Sequence, residues 1–242
     1  MIHLLSATFT EAKPLIDIFK LKIKQNSSKL PIYVSERITL TVTGIGKINS
    51  AIGVAVTFYE FNKCYNHIWL NFGLAGNKLF SIGDIYLVNK IIDISSNKVF
   101  YPHIYEFEVK SHNCVTYDKR NNDYDNNLCE MESSGFFQSA SKYSSKELIQ
   151  IMKVISDNEI ESINFFDKEK VYNLIINHKF LIINFCNFLL RIKDDFFLNH
   201  QFIDKQYTTL FKEVKFTFTE TQQIKSLLLL YHSKNKSMNN NI

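Results

Sequence analysis

The chain has 242 residues, 45% of them hydrophobic, and a net charge of +4 from 28 basic and 24 acidic side chains. That length supports one large α/β domain, or two small ones, around a substantial core. The basic group Lys20, Lys22 and Lys24 alternates with apolar residues on an expected early helix. It reads as a solvated face and argues against a nucleic-acid partner, which needs a concentrated basic stripe.

The first part of the sequence alternates strands with helices. Met1 to Ala7 reads as a strand, Glu11 to Lys22 as a helix with Pro14 in its first turn, and Ile32 to Val34 and Ile38 to Val42 as strands. Thr43-Gly-Ile-Gly-Lys leads into a helix from Ile48 to about Phe61. A strand from Ile68 to Phe72 ends at Gly73-Leu-Ala-Gly76, and Gly83-Asp84 opens a strand from Ile85 to Ile92. The pattern weakens from Val99 to Leu128, with a polar loop over Lys119 to Asn127. Glu130 to Tyr143 reads as a helix and Leu148 to Ile155 as a buried strand ending at Ser156-Asp157. The remainder is helical: one segment from about Asp167 to Arg191, and a last helix from Ile224 to Tyr231, capped by Thr219 with Gln222 three residues on. All seven glycines fall in the first 135 residues, beside the expected strands, where backbone turns sharply or approaches something closely. The alternation predicts an α/β fold with a central sheet covered on both faces.

Cys64, Cys114, Cys129 and Cys186 lie far apart, with no C-x-x-C pair and no histidine at ligand spacing, so no metal and no cofactor are expected. The amino terminus does not read as a signal peptide. The longest apolar stretch, Phe180 to Leu190, is broken by Asn184 and Asn187 and falls short of the roughly 20 residues of a membrane span. The expectation is a cytoplasmic protein with reduced thiols and no membrane partner.

Three acidic residues stand where strands should end. Glu11 follows the first strand, Glu132 opens the helix after the polar loop, and Asp157 follows the last sheet strand. Parallel strands of an open α/β sheet bring their carboxyl ends to one edge, where ligands bind, so these carboxylates can converge. Singly, each also has a plain structural reading as a first-turn acid or a turn residue. Gly44-x-Gly46 alone is a weak phosphate signature, lacking the third glycine and the Lys-Ser/Thr of a nucleotide loop. Tyr101-Pro102 and His103 read as a turn with an exposed ring.

In combination these segments resemble the nucleoside phosphorylase/nucleosidase superfamily, and within it the 5'-methylthioadenosine/S-adenosylhomocysteine nucleosidases. The resemblance is carried by Ser6-Ala-Thr-Phe-Thr-Glu11-Ala-Lys-Pro-Leu15, Val42-Thr-Gly-Ile-Gly-Lys-Ile-Asn-Ser-Ala51, Asn71-Phe-Gly-Leu-Ala-Gly76 with Gly83-Asp-Ile85, Glu130-Met-Glu-Ser-Ser134 and Val154-Ile-Ser-Asp157. The five segments run in the family's order over about residues 1 to 191. The resemblance implies a three-layer α/β/α fold with a central mixed sheet of the phosphorylase/hydrolase kind, followed by a helical extension over 192–242 packed on it. It implies that Asp157 protonates purine N7, that Glu132 accepts hydrogen bonds from the ribose 2'- and 3'-hydroxyls, and that Glu11 is the general base for water. It further implies that Met131 packs on the ribose, that Gly76 offers backbone near the nucleophile, and that Ser156 orients the acid. Glu130 and Ala75 belong to the same substrate-binding segments.

The substrate so implied is an adenine nucleoside such as 5'-methylthioadenosine or S-adenosylhomocysteine. The assembly implied is a homodimer or higher homo-oligomer in which a neighbour helps to close the pocket. Phosphate-dependent members hold their dianion with arginines, one just before the glycine pair. Here that stretch is Leu70-Asn71-Phe72-Gly73, and Arg37, Arg120 and Arg191 lie in no matching motif, which favours hydrolysis. Two departures favour the alternative of a non-catalytic nucleoside binder. Leu74 replaces a small hydroxyl residue, and the base-holding aromatic-Ile stretch is missing, Asp118 to Asn121 being its nearest equivalent. In the extension, Phe196, Phe197, Phe202, Phe211, Phe216 and Phe218 predict helices packed on the main domain or on a partner.

Overall fold

A computed structural model describes residues 1–25, 29–61, 63, 67–121, 124–163, 167–212, 214–217, 219–221, 223–225 and 227–228, without the side chains of 196–201. Cys64, Phe218, Gln222 and residues 229–231, and the side chains of Phe196 and Phe197, therefore lie outside the described residues. The chain divides into two compact units, 1–190 and 191–242.

In the first unit the strands are β1 (Ile2–Ser6), β2 (Lys22–Ile23), β3 (Ile32–Val34), β4 (Ile38–Val42), β5 (Ile68–Gly76), β6 (Ile85–Asp93), β7 (Val99–Phe100), β8 (Ser111–Thr116), β9 (Leu128–Glu130) and β10 (Ile149–Asp157). The helices are α1 (Phe9–Phe19), α2 (Lys47–Glu60), α3 (Ser133–Ala140), α4 (Lys168–Ile176) and α5 (Lys179–Leu210), which runs on into the second unit. All ten strands belong to one mixed sheet.

The middle of the sheet is β5, and its neighbours explain where the site lies. β1 runs parallel to it over Ile68–Asn71 on one edge, and β10 runs parallel along the other. Beyond the end of β1, β9 crosses antiparallel at Gly76, which faces Cys129. From β10 the sheet continues through β6 and β8 to β9, so this half closes on itself around β5. The other half, β1–β4–β3–β2, is open. Every residue of β5 and of β10 is buried, the pattern of strands covered on both faces. α1 packs with α4 and α2 with α3, completing a three-layer α/β/α arrangement.

Several sequence expectations shift for local reasons. α1 begins at Phe9, because Thr8 and Glu11 form a reciprocal capping box, and it ends at Lys20 in the left-handed conformation, φ 51°. The three lysines are thus off the helix: Lys20 caps it, Lys22 lies in β2, and Lys24 pairs with Glu60 at 2.8 Å. β5 does not stop at Phe72 but runs through Gly76. The helix expected from Glu130 to Tyr143 spans only Ser133–Ala140, and Glu130 is the last residue of β9. The weakly patterned stretch contains β7 and β8. The helix expected from Asp167 to Arg191 breaks after Ile176. In the second unit, Thr217 and Glu220 form a capping box two residues before the expected Thr219 cap. There Tyr207, Phe211 and Phe216 cluster, with ring centroids 5.5 to 6.4 Å apart.

Gly44 and Gly46 take φ of 90° and 100°, the region glycine enters without penalty, and so make the tight turn into α2. Gly135 serves a different need. A methyl group there would lie 2.0 Å from the carbonyl oxygen of Lys47, so α2 and α3 meet backbone to backbone. Gly135→Ala is expected to destabilise the protein by about 3 kcal/mol, at the upper end of overpacking costs. Chemical denaturation of the two proteins checks this; an unchanged midpoint would show that the helices separate freely.

Candidate active site

A cavity of about 440 Å³ opens at the carboxyl ends of β1, β5 and β10, within the size range of small-molecule sites. Glu11, Glu132 and Asp157 all line it, together with Ala75, Gly76, Glu130, Met131 and Ser156. The structure therefore brings together every site residue expected from sequence. The three carboxylates are delivered by different elements: Glu11 by the first turn of α1, Glu132 by the residue before α3, and Asp157 by the last position of β10, after a bulge against β5.

The Glu11 carboxylate is held on both oxygens. Oε2 accepts from the Thr8 backbone N–H and hydroxyl, each at 2.8 Å, and Oε1 accepts from the Leu74 N–H at 3.0 Å. Gly73 permits this approach, since a side chain there would lie 2.9 Å from Oε1. Leu74, which replaces a hydroxyl residue, thus contributes through its backbone.

Glu130 and Glu132, two residues apart, have opposite environments. Glu130 Oε1 accepts from the Thr116 hydroxyl at 2.6 Å. Its Oε2 accepts from the N–H groups of Glu132 and Ser133 at 2.9 and 2.8 Å, and from the Lys153 ammonium at 2.9 Å. Burial works to raise its pKa, but Lys153 and these donors outweigh that and lower it. Glu132 Oε1 accepts from the Gly46 N–H at 2.8 Å. Burial pushes its carboxyl up to about 7; Lys153 opposes that push, while Glu130 and Glu11 add to it. Although Glu132 occupies the position before α3, its side chain makes no capping bond to that helix.

Lys153, on β10, was not singled out by sequence reasoning. It is 1% exposed and stands behind the cavity wall, 3.6 Å from where a side chain at Gly73 would begin. Burial works to lower its pKa, but Glu130 and Glu132 together hold it above the ordinary lysine value, so it is charged. Its sequence signal is faint: a lysine in the middle of a buried strand requires a buried anion.

Asp157 is hydrogen-bonded on both oxygens, Oδ1 by the Ser156 hydroxyl and Oδ2 by the Tyr124 phenol. Tyr117, Lys119, Arg120 and Asn121, from the loop after β8, line the same cavity. Arg120 also bonds to the Tyr124 phenol, so this arginine, assigned to no motif from sequence, belongs to the Asp157 end. Asp118, from the same loop, is instead paired with Lys47 at 2.7 Å. His103 and Tyr101 are exposed and do not line the cavity. Among the described residues no group of three His, Cys, Asp or Glu side chains is disposed to hold a metal ion. No single described helix is long and apolar enough to cross a membrane.

No family model matches the sequence, and no curated protein matches it. Solved structures do. A 5'-methylthioadenosine nucleosidase from Arabidopsis thaliana aligns with TM-score 0.65 and 16% identity, over 78% of this chain and 95% of that one. The 5'-methylthioadenosine/S-adenosylhomocysteine nucleosidase of Campylobacter jejuni gives 0.62 and 19%, over 76% and 97%. That of Helicobacter pylori gives 0.56 and 16%, over 80% and 97%. The chain has the fold of the 5'-methylthioadenosine/S-adenosylhomocysteine nucleosidases.

Proposed function

We propose that the protein is a purine nucleosidase that hydrolyses the N-ribosidic bond of an adenine nucleoside such as 5'-methylthioadenosine or S-adenosylhomocysteine. One observation carries this reading: three carboxylates from remote parts of the chain, Glu11, Glu132 and Asp157, line one nucleoside-sized cavity. Cleavage breaks the bond between C1' and N9, and the electron pair leaves with the base, building positive charge on the sugar. Asp157 gives a proton to the base at N7, with Ser156 fixing the carboxyl through Oδ1. Glu132 accepts the ribose hydroxyls, and Met131 packs on the sugar. Water attacks C1' and loses its proton to Glu11.

Charge at the two ends of the cavity favours water over phosphate. Lys119 and Arg120 do line the cavity, but Arg120 stands with Tyr124 at the Asp157 end. Around Glu11 the charged neighbours are Glu130 and Glu132 with one balancing lysine, Lys153. A phosphate dianion placed there would meet more carboxylates than cations.

The resemblance to homo-oligomers has a counterpart on α2 and the turn before it, where Ile45, Ile48, Ile52 and Tyr59 are 50% to 71% exposed, and Ile45 also lines the cavity. A second copy of the chain covers these residues and narrows the cavity mouth in the proposed assembly.

Purified protein is expected to release free base from 5'-methylthioadenosine in phosphate-free buffer, and Asp157→Asn to lower kcat by about 10³-fold or more, the scale of general-acid loss. Release that depends on added phosphate would assign a phosphorylase. Tight nucleoside binding in calorimetry without any release of base would assign a binding protein.

The Glu132 carboxyl also makes stability depend on pH. Because its folded pKa is raised, folding gains from its protonation at low pH, and that gain is lost as pH rises through about 7. A rise from the usual 4.5 to about 7 corresponds to about 3 kcal/mol. Melting temperature should fall between pH 5 and 8, and Glu132→Gln should flatten that fall; parallel slopes for the two proteins would contradict the assignment. Ile48→Glu is expected to convert an oligomer to monomer in light scattering, and a wild-type protein that is already monomeric would remove the proposed interface.

A further inference from the structure

The proton-donating residue of the proposed reaction is already engaged. Asp157 Oδ1 takes the Ser156 hydroxyl, and Oδ2, which a departing base must reach, takes the phenol of Tyr124. The Tyr124 ring lies against Gly76, which lines the cavity. A methyl group at Gly76 would stand 2.3 Å from ring carbon Cε1 and 2.7 Å from Asp157 Oδ2. Position 76 therefore leaves a slot, bounded by the end of β5 and by Asp157, that admits a flat aromatic ring with a polar edge. A purine base has that shape and that edge. Arg120 stands beside the same phenol.

We propose that Tyr124 occupies the base subsite, and that a nucleoside binds by displacing its phenol from Asp157. The inference rests on the nucleosidase reading for the identity of the ligand, and it adds a residue that sets the affinity of the base end. Oδ2 cannot hold the phenolic hydrogen bond and the base at N7 in the same place. Burial and the bond to Asp157 push the phenol up to about 12, so it stays a protonated donor across the working range. Tyr124 is thus a positioning residue: it holds Asp157 in place until substrate arrives and reduces apparent affinity by the fraction of molecules in which the slot is filled.

The test compares wild type, Tyr124→Phe and Tyr124→Ala for adenine binding by calorimetry and for hydrolysis of 5'-methylthioadenosine. Loss of the hydroxyl should tighten adenine binding by about ten-fold and lower KM in proportion, with kcat within about two-fold, as expected when a self-occupied state is removed. Tyr124→Ala, which empties the slot, should tighten adenine at least as much. A fall in kcat at constant KM would overturn the proposal by giving the phenol a part in the chemical step. Adenine affinity that is unchanged or weaker in both variants, or absent in all three proteins, would also overturn it. Tighter adenine binding by the variants with no nucleoside cleaved by any protein would uphold the displacement and defeat the nucleosidase reading, so the two fail separately.

Discussion

The cavity depends on one buried charge. The Lys153 ammonium sits in the centre of the sheet with almost no exposed surface, and its direct partner is Glu130 at 2.9 Å. Burying such a pair costs several kcal/mol per ion, which attraction repays only with good geometry and further hydrogen bonds, so the net stabilisation is small. Its effect on shape is large. Glu130, fixed by the ammonium, the Thr116 hydroxyl and two backbone N–H groups, locks the corner at which β9 ends and α3 begins. That corner aims Glu132 into the cavity. Without the lysine, Glu130 and Glu132 would face each other across low-dielectric surroundings with Glu11 nearby, an arrangement that would force protonation or movement.

The sheet makes this possible by bringing distant sequence to one edge. β1, β5 and β10 run parallel, so the first turn of α1 and the end of β10 meet at the same rim. The antiparallel crossing of β9 at Gly76 adds the segment Glu130–Glu132 to that rim from the opposite direction. Close approaches at Gly73, Gly76 and Gly135 let carboxylate, ring and helix come near without side chains between them. The fold therefore serves the site chiefly through missing side chains.

Much of this was legible in the sequence. Glu11, Glu132 and Asp157 stood at strand or helix ends within ordered segments, and the structure puts all three on one cavity. What escaped notice has physical causes. β8, with the sequence Ser-His-Asn-Cys-Val-Thr, has no clear apolar alternation because it lies between β6 and β9 and draws its stability from pairing. β9 is three residues long and merges by eye with the helix that follows. The break after Ile176 has no Gly or Pro to announce it, and His178 there contacts the carbonyl oxygen of Gly83 at 2.6 Å, a tertiary cause. Lys153 and Arg120 gain meaning only from partners 21 or more residues away, or from a loop whose course the sequence leaves open.

The two glutamates of the Glu-Met-Glu segment differ in how much of their acceptor capacity the fold uses. A carboxylate offers about four lone-pair sites. Glu130 has four donors, two of them backbone groups and one a buried cation, and its pKa is lowered accordingly. Three of these donors are on Oε2 and one, the Thr116 hydroxyl, is on Oε1, so most of its acceptor capacity is spent within the protein. Glu132, among the described residues, has the Gly46 N–H, and its carboxyl is raised to about 7 by burial. An acid left short of donors in a buried place is costly until a ligand brings them. In the proposed reaction two adjacent hydroxyls of a ribose are such donors, and they would stabilise the charged form that burial disfavours.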